Sequence, residues 1–501
     1  MIPGKKEADR ILNLIRTKKS DYWMRVRAKQ MLTVFHKAAD GVPAYKDFLK
    51  KNKIDPAKIK TLRDFQLVPL MSKQNYLRRY ELEKLCYGET LCQPLVFTST
   101  SGSTGEPFYF PRNFFIDYQS SIYHESFFHS AEIDSHKSTL VLVCFGMGIW
   151  IGGLITYQAF RLIAERGYPL TLLTPGINKK EIFEALKNLS KKFDQIIICG
   201  YPPFVKDIID EASKNAVNWR NFKNLKLVFA AETFSEKFRD YIIRETGIKK
   251  LYCDTMNIYG SADMGTMASE TPVSILVRRI ALKNKKVYKK LFTEATRLPT
   301  LVQFIPQFIN FEIVGKNIYC TGDNAIPLIR YEIGDNGGVF DFNFMEQVFI
   351  ENGIDFNKEA CDAGIDGTII KLPFVYIYER TDLSTKLYGA IIYPEHVREA
   401  LQDARFETFL TSKFTMLTKY DRRQNQFLEI NIELKPNIKP IKSLGKLCCD
   451  NIIKNLLRKN AEYHNNYTSL SKEVTPHIIF WPHEHILHFK PGIKQKWVKT
   501  V

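Results

Sequence analysis

Short apolar runs rich in β-branched residues alternate with amphipathic stretches through the middle of the chain. The apolar runs predict buried strands at residues 140–143, 170–173, 195–198 and 225–230. The stretches that follow them carry apolar residues three and four positions apart, which predicts helices at residues 155–165, 180–190, 203–214 and 235–246. Strands and helices that alternate in this way form a largely parallel sheet covered by helices. Such sheets bind ligands at the carboxyl ends of their strands.

The two ends of the chain follow different patterns. From about residue 7 to residue 39 the apolar spacing is helical, and this segment is expected to end near Gly41 and to cap the fold. Near the C-terminus an alternating strand at 426–434 and a helix at 440–459 indicate a compact α+β unit. We therefore predict an α/β protein with a large domain over residues 1–379, which begins with the helical segment 1–40, and a small α+β domain over residues 380–501.

Composition narrows the class of partner. The 501 residues are 45% hydrophobic, enough for a large core divided between domains. Lys and Arg number 72 against 54 Asp and Glu, and the net charge of +18 favours anionic ligands such as nucleotides, coenzyme A or an acidic carrier protein. The sequence has no nucleic-acid-binding signature, no CxxC pair, no secretory leader pattern and no apolar run of membrane-spanning length. We expect a cytoplasmic protein without a nucleic acid partner.

A run of hydroxyl-bearing residues and glycines follows directly behind the strand-like residues 93–97. Its centre consists of Ser101, Gly102, Ser103, Thr104 and Gly105. Glycines let successive backbone N–H groups converge on an anion, and hydroxyls add donors without adding charge. The run ends in Glu106 and Pro107 where the Walker pattern has Lys and Ser or Thr. It therefore predicts a phosphate-binding loop of another type.

Further short motifs follow this run, in order, at residues 229–233, 259–263, 327–335, 380–382 and 492–496. This order resembles that of the adenylate-forming superfamily, which contains acyl-CoA synthetases, luciferases and the adenylation domains of peptide synthetases. Residues 42–45, 68–73 and 230–239 also resemble elements of its phenylacetate-CoA ligase branch. The resemblance extends, with gaps, from about Gly41 to the C-terminus. It implies a large adenylate-forming domain with mainly parallel sheets and helices, followed by a small mobile domain.

The resemblance also implies how ATP and Mg²⁺ are bound. The segment from Ser101 to Gly105 would hold the β and γ phosphates. The adenine would lie between two walls, one made of Tyr259, Gly260 and Ser261 and the other of Ala231 and Glu232. Asp263 would hold Mg²⁺, which prefers carboxylate oxygens. The family usually has Glu at that position, and it has Thr where this chain has Ala262.

Two aspartates compete for the ribose hydroxyls. Asp323 ends the string Thr-Gly-Asp that is usual in the superfamily. Asp335 ends the string Pro-Leu-Ile-Arg-Tyr-x-x-x-Asp, where the phenylacetate-CoA ligase branch carries its ribose-binding Asp. We choose Asp335, and we interpret Asp323 as a residue of the hairpin turn between two short strands.

The C-terminal motifs imply the groups that act on the α-phosphate. By the resemblance, Arg380 would contact the ribose and the α-phosphate, and Asp382 would be the hinge of the C-terminal domain. Lys494 is the candidate for the lysine that stabilises the transferring α-phosphate, because a mobile ammonium can enter for adenylation and leave for thiolation. Lys490 and Lys496 are close alternatives.

Two other segments contain candidate chemistry. The glycine-rich and aromatic residues 144–153 occupy the place of the family's acyl pocket. His483, His485 and His488 have the spacing of a strand surface, which we favour over a metal site because no Cys accompanies them.

The function implied is that of an ATP-dependent carboxylate–thiol ligase. A carboxylic acid, possibly an aryl acid, would react with ATP to give acyl-AMP and pyrophosphate, and a thiol would then displace AMP. Coenzyme A is the default thiol. The alternatives are a protein thiol, as on an acidic carrier, and a non-catalytic nucleotide-binding protein on the same fold. The sequence identifies neither the acid nor the oligomeric state.

Overall fold

The computed structural model describes residues 4–99, 108–147, 151–231, 233–293, 298–378, 385–387, 390–420, 426–439, 442–460, 463–464, 467, 471–490 and 497–498. Within these stretches, no α-helix is both long enough and apolar enough to cross a membrane.

Helices form the N-terminal segment, as predicted, although not as one continuous helix. They are α1 (Lys5–Thr17) and α2 (Ser20–Gly41), which ends where the sequence predicts. Three further helices follow the segment: α3 (Pro43–Lys51), α4 (Leu62–Phe65) and α5 (Leu82–Leu85). Lys18 and Lys19 have extended backbone angles and separate α1 from α2. Phe35 and Ala38 of α2 pack in one apolar core with residues of the central sheet, so this segment does cover the sheet.

The large central sheet has eleven strands in the order β10-β11-β12-β13-β9-β8-β7-β6-β5-β3-β4. Its strands are β3 (Thr139–Cys144), β4 (Leu170–Leu173), β5 (Gln195–Gly200), β6 (Leu225–Ala230), β7 (Thr255–Ser261), β8 (Gly265–Ser269), β9 (Thr300–Gln303), β10 (Ile309–Val314), β11 (Asn317–Gly322), β12 (Leu328–Phe340) and β13 (Phe374–Tyr378). The five strands at one end of this order, from β4 to β7, pair in parallel. All the other pairs, from β7 through β8, β9, β13, β12 and β11 to β10, are antiparallel. The predicted α/β class is confirmed, and an antiparallel half extends the parallel one.

Helices cover both faces of this sheet. They are α6 (Phe114–Ser130), α7 (Ile151–Glu165), α8 (Lys179–Asn188), α9 (Pro202–Glu211), α10 (Glu236–Thr246), α11 (Pro272–Lys283), α12 (Lys285–Leu291), α13 (Phe342–Ile350) and α14 (Phe356–Asp362). Alternate residues of one strand serve the two faces: Ile196 packs among α8 and α9, whereas Ile197 packs among α6 and α7. Burial on both faces explains why β3 and β5 are almost entirely apolar. A separate hairpin of β1 (Val96–Ser99) and β2 (Tyr109–Arg112) precedes α6.

The C-terminal part is the expected small α+β unit. Its elements are β14 (Thr385–Leu387), β15 (Ala390–Ile392), α15 (Pro394–Leu401), β16 (Leu410–Tyr420), β17 (Gln426–Leu434), α16 (Lys442–Lys459), α17 (Ser471–Val474) and β18 (His477–Trp481). Strands β16, β17 and β18 form a sheet that has its own apolar core with α15 and α16. The predicted domain boundary at residues 379 and 380 lies outside the described residues.

Candidate active site

Tyr259 and Asp335 meet on one side of the central sheet. Tyr259 is near the end of β7, and its hydroxyl donates a hydrogen bond of 2.7 Å to Oδ2 of Asp335 on β12. The Tyr259 ring also packs against Phe311 of β10, with 6.1 Å between ring centroids. The two residues chosen for adenine and ribose are thus in direct contact, although three strands lie between β7 and β12 in the sheet.

The segment from Gly260 to Asp263 forms the tight turn between β7 and β8, where Ser261 pairs with Gly265. A Cβ atom at residue 260 would lie 2.7 Å from the carbonyl oxygen of Gly265, so only glycine fits there. The Ser261 hydroxyl accepts a hydrogen bond of 3.2 Å from the backbone N–H of Met264. This turn fixes the position of Asp263 relative to Tyr259.

Asp263 is a buried carboxylate with two partners from other elements. Its Oδ2 accepts a 2.7 Å hydrogen bond from the hydroxyl of Tyr331 on β12. The Lys73 ammonium lies 3.5 Å from the same oxygen, and the Asp263 side chain is only 7% exposed. One third of the Lys73 side chain remains exposed, so its cation sits between a buried acid and the surface. An acid and a cation at this spacing can bind a metal ion and an anionic oxygen side by side.

The strands β1 and β2, which flank the Ser/Gly run in the sequence, reach the same place. Ser99, at the end of β1, pairs with Tyr109, at the start of β2. Thr98 is buried, and its hydroxyl donates a hydrogen bond of 3.4 Å to the carbonyl oxygen of Ala262, the residue before Asp263. The predicted phosphate-binding residues themselves, Ser101, Gly102, Ser103, Thr104 and Gly105, lie outside the described residues.

Ala231 lies at the same edge of the sheet as Tyr259. Ala230 pairs in parallel register with Ile258, so the next residues along the two strands, Ala231 and Tyr259, are neighbours. Ala231 is exposed and has a left-handed φ of 72°, an uncommon conformation for a residue with a Cβ atom. Its expected companion Glu232 lies outside the described residues.

Asp323 is held in a different environment from Asp335. It follows β11 in the turn that leads to β12, as the sequence predicts. Its carboxylate accepts hydrogen bonds from the Tyr87 hydroxyl at 2.8 Å and from the Lys37 ammonium at 2.5 Å. Burial, together with the Asp323 charge, raises the pKa of Tyr87. Asp323 therefore fastens α2 and the segment after α5 to the sheet.

The sequence-predicted groups for α-phosphate chemistry are not placed by this structure. Arg380, Asp382, Lys494 and Lys496 lie outside the described residues, and Lys490 is exposed. Conversely, sequence reasoning assigned no role to Lys73 or Tyr331. Both belong to motifs that carried the family resemblance, but nothing in the sequence pattern shows that they meet Asp263.

The predicted acyl-pocket segment follows β3. Phe145 is buried and packs edge-on against Tyr201 at 5.0 Å between ring centroids. A Cβ atom at residue 153 would meet the carbonyl oxygen of Gly146 at 2.6 Å, so glycine allows α7 to approach the strand end closely. Residues 148–150 lie outside the described residues.

A buried charged cluster joins α8 and α9 to the C-terminal sheet. The Lys413 ammonium of β16 lies 2.5 Å from Asp207 Oδ2 of α9, and Lys179 lies 2.6 Å from Glu484 and 2.8 Å from Glu211. Burial disfavours the charge on Asp207, but Lys413 and Lys179 outweigh that cost and lower its pKa. The cluster therefore forms an ionic contact between the large and small units.

The three histidines lie beside or within this contact. His483 Nε2 is 3.3 Å from Glu211, and ligand atoms of His483, Asp207 and Glu433 lie within 4.8 Å of one another. Lys413 lies 2.5 Å from Asp207 and 3.5 Å from Glu433, so these two carboxylates share its cation. The rings of His485 and His488 pack on Trp481, at 4.3 and 4.5 Å between centroids.

No family model matches the sequence, and no curated protein matches it significantly. Among solved structures, 2-hydroxyisobutyryl-CoA ligase in the postadenylation state with 2-HIB-AMP is similar over 100% of this chain and 90% of the ligase, with 16% identity and a TM-score of 0.62. The same ligase with 2-HIB-AMP and CoA in the thioester-forming state is similar over 97% and 91%, with 17% identity and a TM-score of 0.53.

A third solved structure extends the comparison beyond this ligase. The acyl acid amido synthetase AtGH3.15 in complex with 2,4-DB is similar over 97% of this chain and 91% of its own, with 12% identity and a TM-score of 0.59. At such identities the likeness establishes architecture. Because these enzymes share one fold, and this chain matches it over nearly its whole length, the protein has the fold of the adenylate-forming superfamily.

Proposed function

We propose that this protein activates a carboxylic acid with ATP, forming acyl-AMP and pyrophosphate, and then transfers the acyl group to a thiol. One observation carries the proposal: Asp263, Lys73 and Thr98 of the β1–β2 hairpin converge beside the Tyr259–Asp335 pair. A site that binds a nucleoside triphosphate needs all of these groups in one place. The adenylate-forming fold makes acyl transfer through AMP the reaction that this arrangement supports best.

The nucleoside half of ATP is assigned to the Tyr259–Asp335 side of the site. The Asp335 carboxylate would accept hydrogen bonds from the two ribose hydroxyls. The Tyr259 hydroxyl, which already donates to Oδ2, would keep that carboxylate oriented. Adenine would lie between Tyr259 with Gly260 and Ser261 on one side and the turn of Ala231 and Glu232 on the other.

The phosphates are assigned to the Asp263 side. Asp263 would hold Mg²⁺, and Lys73 with the hydroxyl and N–H groups of residues 101–105 would bind the β and γ phosphates. A buried carboxylate fits a hard divalent cation. When bound, Mg²⁺ supplies positive charge to the pyrophosphate leaving group. Lys73 adds a second cation at 3.5 Å from Asp263, which offsets the hydroxyl that Ala262 lacks.

The remaining steps are assigned to the C-terminal unit. Arg380 would contact the ribose and α-phosphate, Lys494 would stabilise charge on the α-phosphate during adenylation, and Asp382 would be the hinge. The whole-chain TM-score is higher against the postadenylation state of 2-hydroxyisobutyryl-CoA ligase than against its thioester-forming state, 0.62 compared with 0.53. This difference supports the proposal that the two units are arranged here more as in the postadenylation state of that ligase than as in its thioester-forming state.

The acceptor we propose is coenzyme A, with the thiol of an acidic carrier protein as the alternative. Both are anionic, and the net charge of +18 favours either. AtGH3.15 is, by its name, an acyl acid amido synthetase, so an amine is the competing class of acceptor.

The test is to incubate the purified protein with ATP, Mg²⁺ and a library of aryl and short branched acids and to measure pyrophosphate release. Each active acid is then offered with CoA, a carrier protein or amino acids, and the product is identified by mass spectrometry. We expect acid-dependent pyrophosphate release, AMP and a thioester. Release of ADP and phosphate, or no pyrophosphate release with any acid, would contradict the proposal. An amide product would show that the acceptor is an amine and not a thiol.

A further inference from the structure

Arg330 has a conformation that demands an explanation. It is the third residue of β12, it is buried, and its φ is 49°, in the left-handed region. This conformation costs free energy for a non-glycine residue and persists only where the surrounding structure imposes it. Such residues concentrate at functional sites. The conformation turns one residue of the strand out of the regular pleat, immediately before Tyr331.

The guanidinium of Arg330 holds a segment that is distant in sequence. Its Nη1 donates hydrogen bonds to the carbonyl oxygens of Gln66 at 2.6 Å and Val68 at 2.5 Å. Its Nε donates to Glu312 of β10 at 2.5 Å. A planar guanidinium can bind several acceptors in a fixed fork, which an ammonium cannot do with the same directionality.

Backbone hydrogen bonds continue this attachment toward Lys73. The N–H of Met71 donates to the carbonyl oxygen of Arg330 at 2.9 Å, and the N–H of Glu332 donates to the carbonyl oxygen of Met71 at 2.8 Å. Met71 thereby pairs with Tyr331 like a residue of an added parallel strand. Lys73 follows two residues later, and its ammonium reaches the carboxylate that Tyr331 also contacts.

We propose that Arg330 is a positioning residue for the active site, which fixes the segment 66–71 on β12 so that Lys73 faces Asp263. Arg330 and Tyr331 divide the task, because Arg330 holds the segment that carries Lys73 and Tyr331 holds Asp263. Arg330 acts through Lys73 and does not touch ATP. The inference rests on the proposed function in so far as Lys73 binds phosphate.

If Arg330 only stabilised the fold, replacement of another buried arginine should have the same effect, and the chain contains one that serves as a matched control. Arg166 is also a buried arginine of the large unit, and its Nη2 lies 2.7 Å from the buried Glu125. Arg166 follows α7, and Glu125 is on α6, away from segment 66–73. Replacement of either arginine by Met leaves a glutamate without its partner, but only Arg330 is connected to Lys73.

The first experiment measures kcat and KM for MgATP in the full-length protein. Arg330→Met should lower kcat/KM about 100-fold, since a displacement of order 1 Å costs that much. Arg330→Lys should lose less, and Arg330→Gly should lose as much as Arg330→Met although glycine relieves the φ strain. In a Lys73→Met background, Arg330→Met should add less than about a threefold loss, because both act through one group. A full additional loss there, or an equal loss in Arg166→Met, would overturn the proposal.

The second experiment does not depend on activity. Hydrogen exchange should accelerate in peptides that cover residues 66–73 of Arg330→Met, while the same peptides in Arg166→Met exchange as in the wild type. Unchanged exchange in these peptides, or acceleration spread evenly over the protein, would overturn the role of Arg330 whether or not ATP is the substrate. If hydrogen exchange changes as predicted but the protein has no adenylating activity, only the proposed function is contradicted.

Discussion

The hydroxyl of Tyr259 donates a hydrogen bond of 2.7 Å to the carboxylate of Asp335, which connects β7 to β12 across the strands between them. In the proposed nucleotide site, Tyr259 faces the base and Asp335 faces the ribose. The pair would thus set the angle between adenine and sugar, and with it the direction from which a carboxylate reaches the α-phosphorus.

Asp335 and Asp323 provide a matched pair of substitutions. Asp335→Ala should abolish acyl-AMP formation, because loss of the ribose contact misplaces the α-phosphorus. Asp323→Ala should lower the free energy of unfolding, because it leaves Tyr87 and Lys37 without their acceptor, but acyl-AMP formation at a temperature where the protein stays folded should persist. Quenched-flow detection of acyl-AMP, with urea unfolding of each variant, separates these outcomes. Equal loss of acyl-AMP in both variants would contradict the choice of Asp335.

Asp263→Asn tests the proposed metal-binding carboxylate. The amide keeps the shape and can still accept from Tyr331, but it supplies no negative charge for Mg²⁺. Turnover should fall by about a hundredfold or more, and the Mg²⁺ concentration for half-maximal rate should rise. The melting temperature should change little by comparison. Titration of the rate against Mg²⁺ measures both quantities, and wild-type turnover in this variant would remove Asp263 from the metal site.

Lys413 tests the contact between the two units. Lys413→Met should weaken this contact, because Asp207 and Glu433 lose the cation that they share. The expected loss of free energy for one broken buried ion pair is about 3 kcal/mol. We expect faster hydrogen exchange in α9 and slower acyl-AMP formation, with thioester formation from supplied acyl-AMP preserved. Lys419→Met is the control, since Lys419 is also in β16 but pairs at 2.7 Å with Glu429 inside the small unit. The interpretation fails if both variants give the same result.

His124 predicts part of the acid sensitivity of the fold. Burial lowers its pKa from 6.5 to about 4, and its Nδ1 is 2.8 Å from the carbonyl oxygen of Ser120. A group with a depressed folded-state pKa contributes stability that is complete above the unfolded pKa and is lost as the pH falls from 6.5 toward about 4. Between about pH 7 and about pH 4.5, the free energy of unfolding should therefore fall by about 2 kcal/mol less in His124→Gln than in the wild type.

Urea unfolding at the two pH values gives this difference, and the exposed His136 supplies the control. His136→Gln should show the same pH dependence as the wild type. An identical pH dependence in His124→Gln and the wild type would show that His124 is not held neutral in the fold.

Sequence patterns predict the strands of the parallel half closely. Residues 170–173 and 225–230 coincide with β4 and β6, because a short, mostly apolar run between two helical stretches marks each of them. The break at Lys18 and Lys19 was not predicted, since neither Pro nor Gly marks it and the apolar spacing continues on both sides. Ile11 and Leu12 of α1 pack with Tyr118 and Ile122 of α6, so tertiary packing decides where α1 ends and α2 begins.

The candidate site was predictable only in part for a related reason. The turn of Gly260 and Asp263 is local, and a glycine with a following acid indicates it directly. The contact of Lys73 with Asp263 joins segments that are far apart in the chain, and neither residue differs in pattern from a surface Lys or Asp. The conformation of Arg330 is likewise fixed by the carbonyl groups of Gln66 and Val68, which only the folded structure brings together.

The central claim is that the acid becomes joined to AMP, and an isotope experiment tests it most directly. An active acid labelled with ¹⁸O in both carboxylate oxygens is incubated with ATP, Mg²⁺ and the acceptor, and the nucleotide product is analysed by mass spectrometry. If the carboxylate attacks the α-phosphorus, one ¹⁸O atom enters AMP in each turnover. Label in inorganic phosphate together with ADP, or AMP without label, would contradict an acyl-adenylate intermediate.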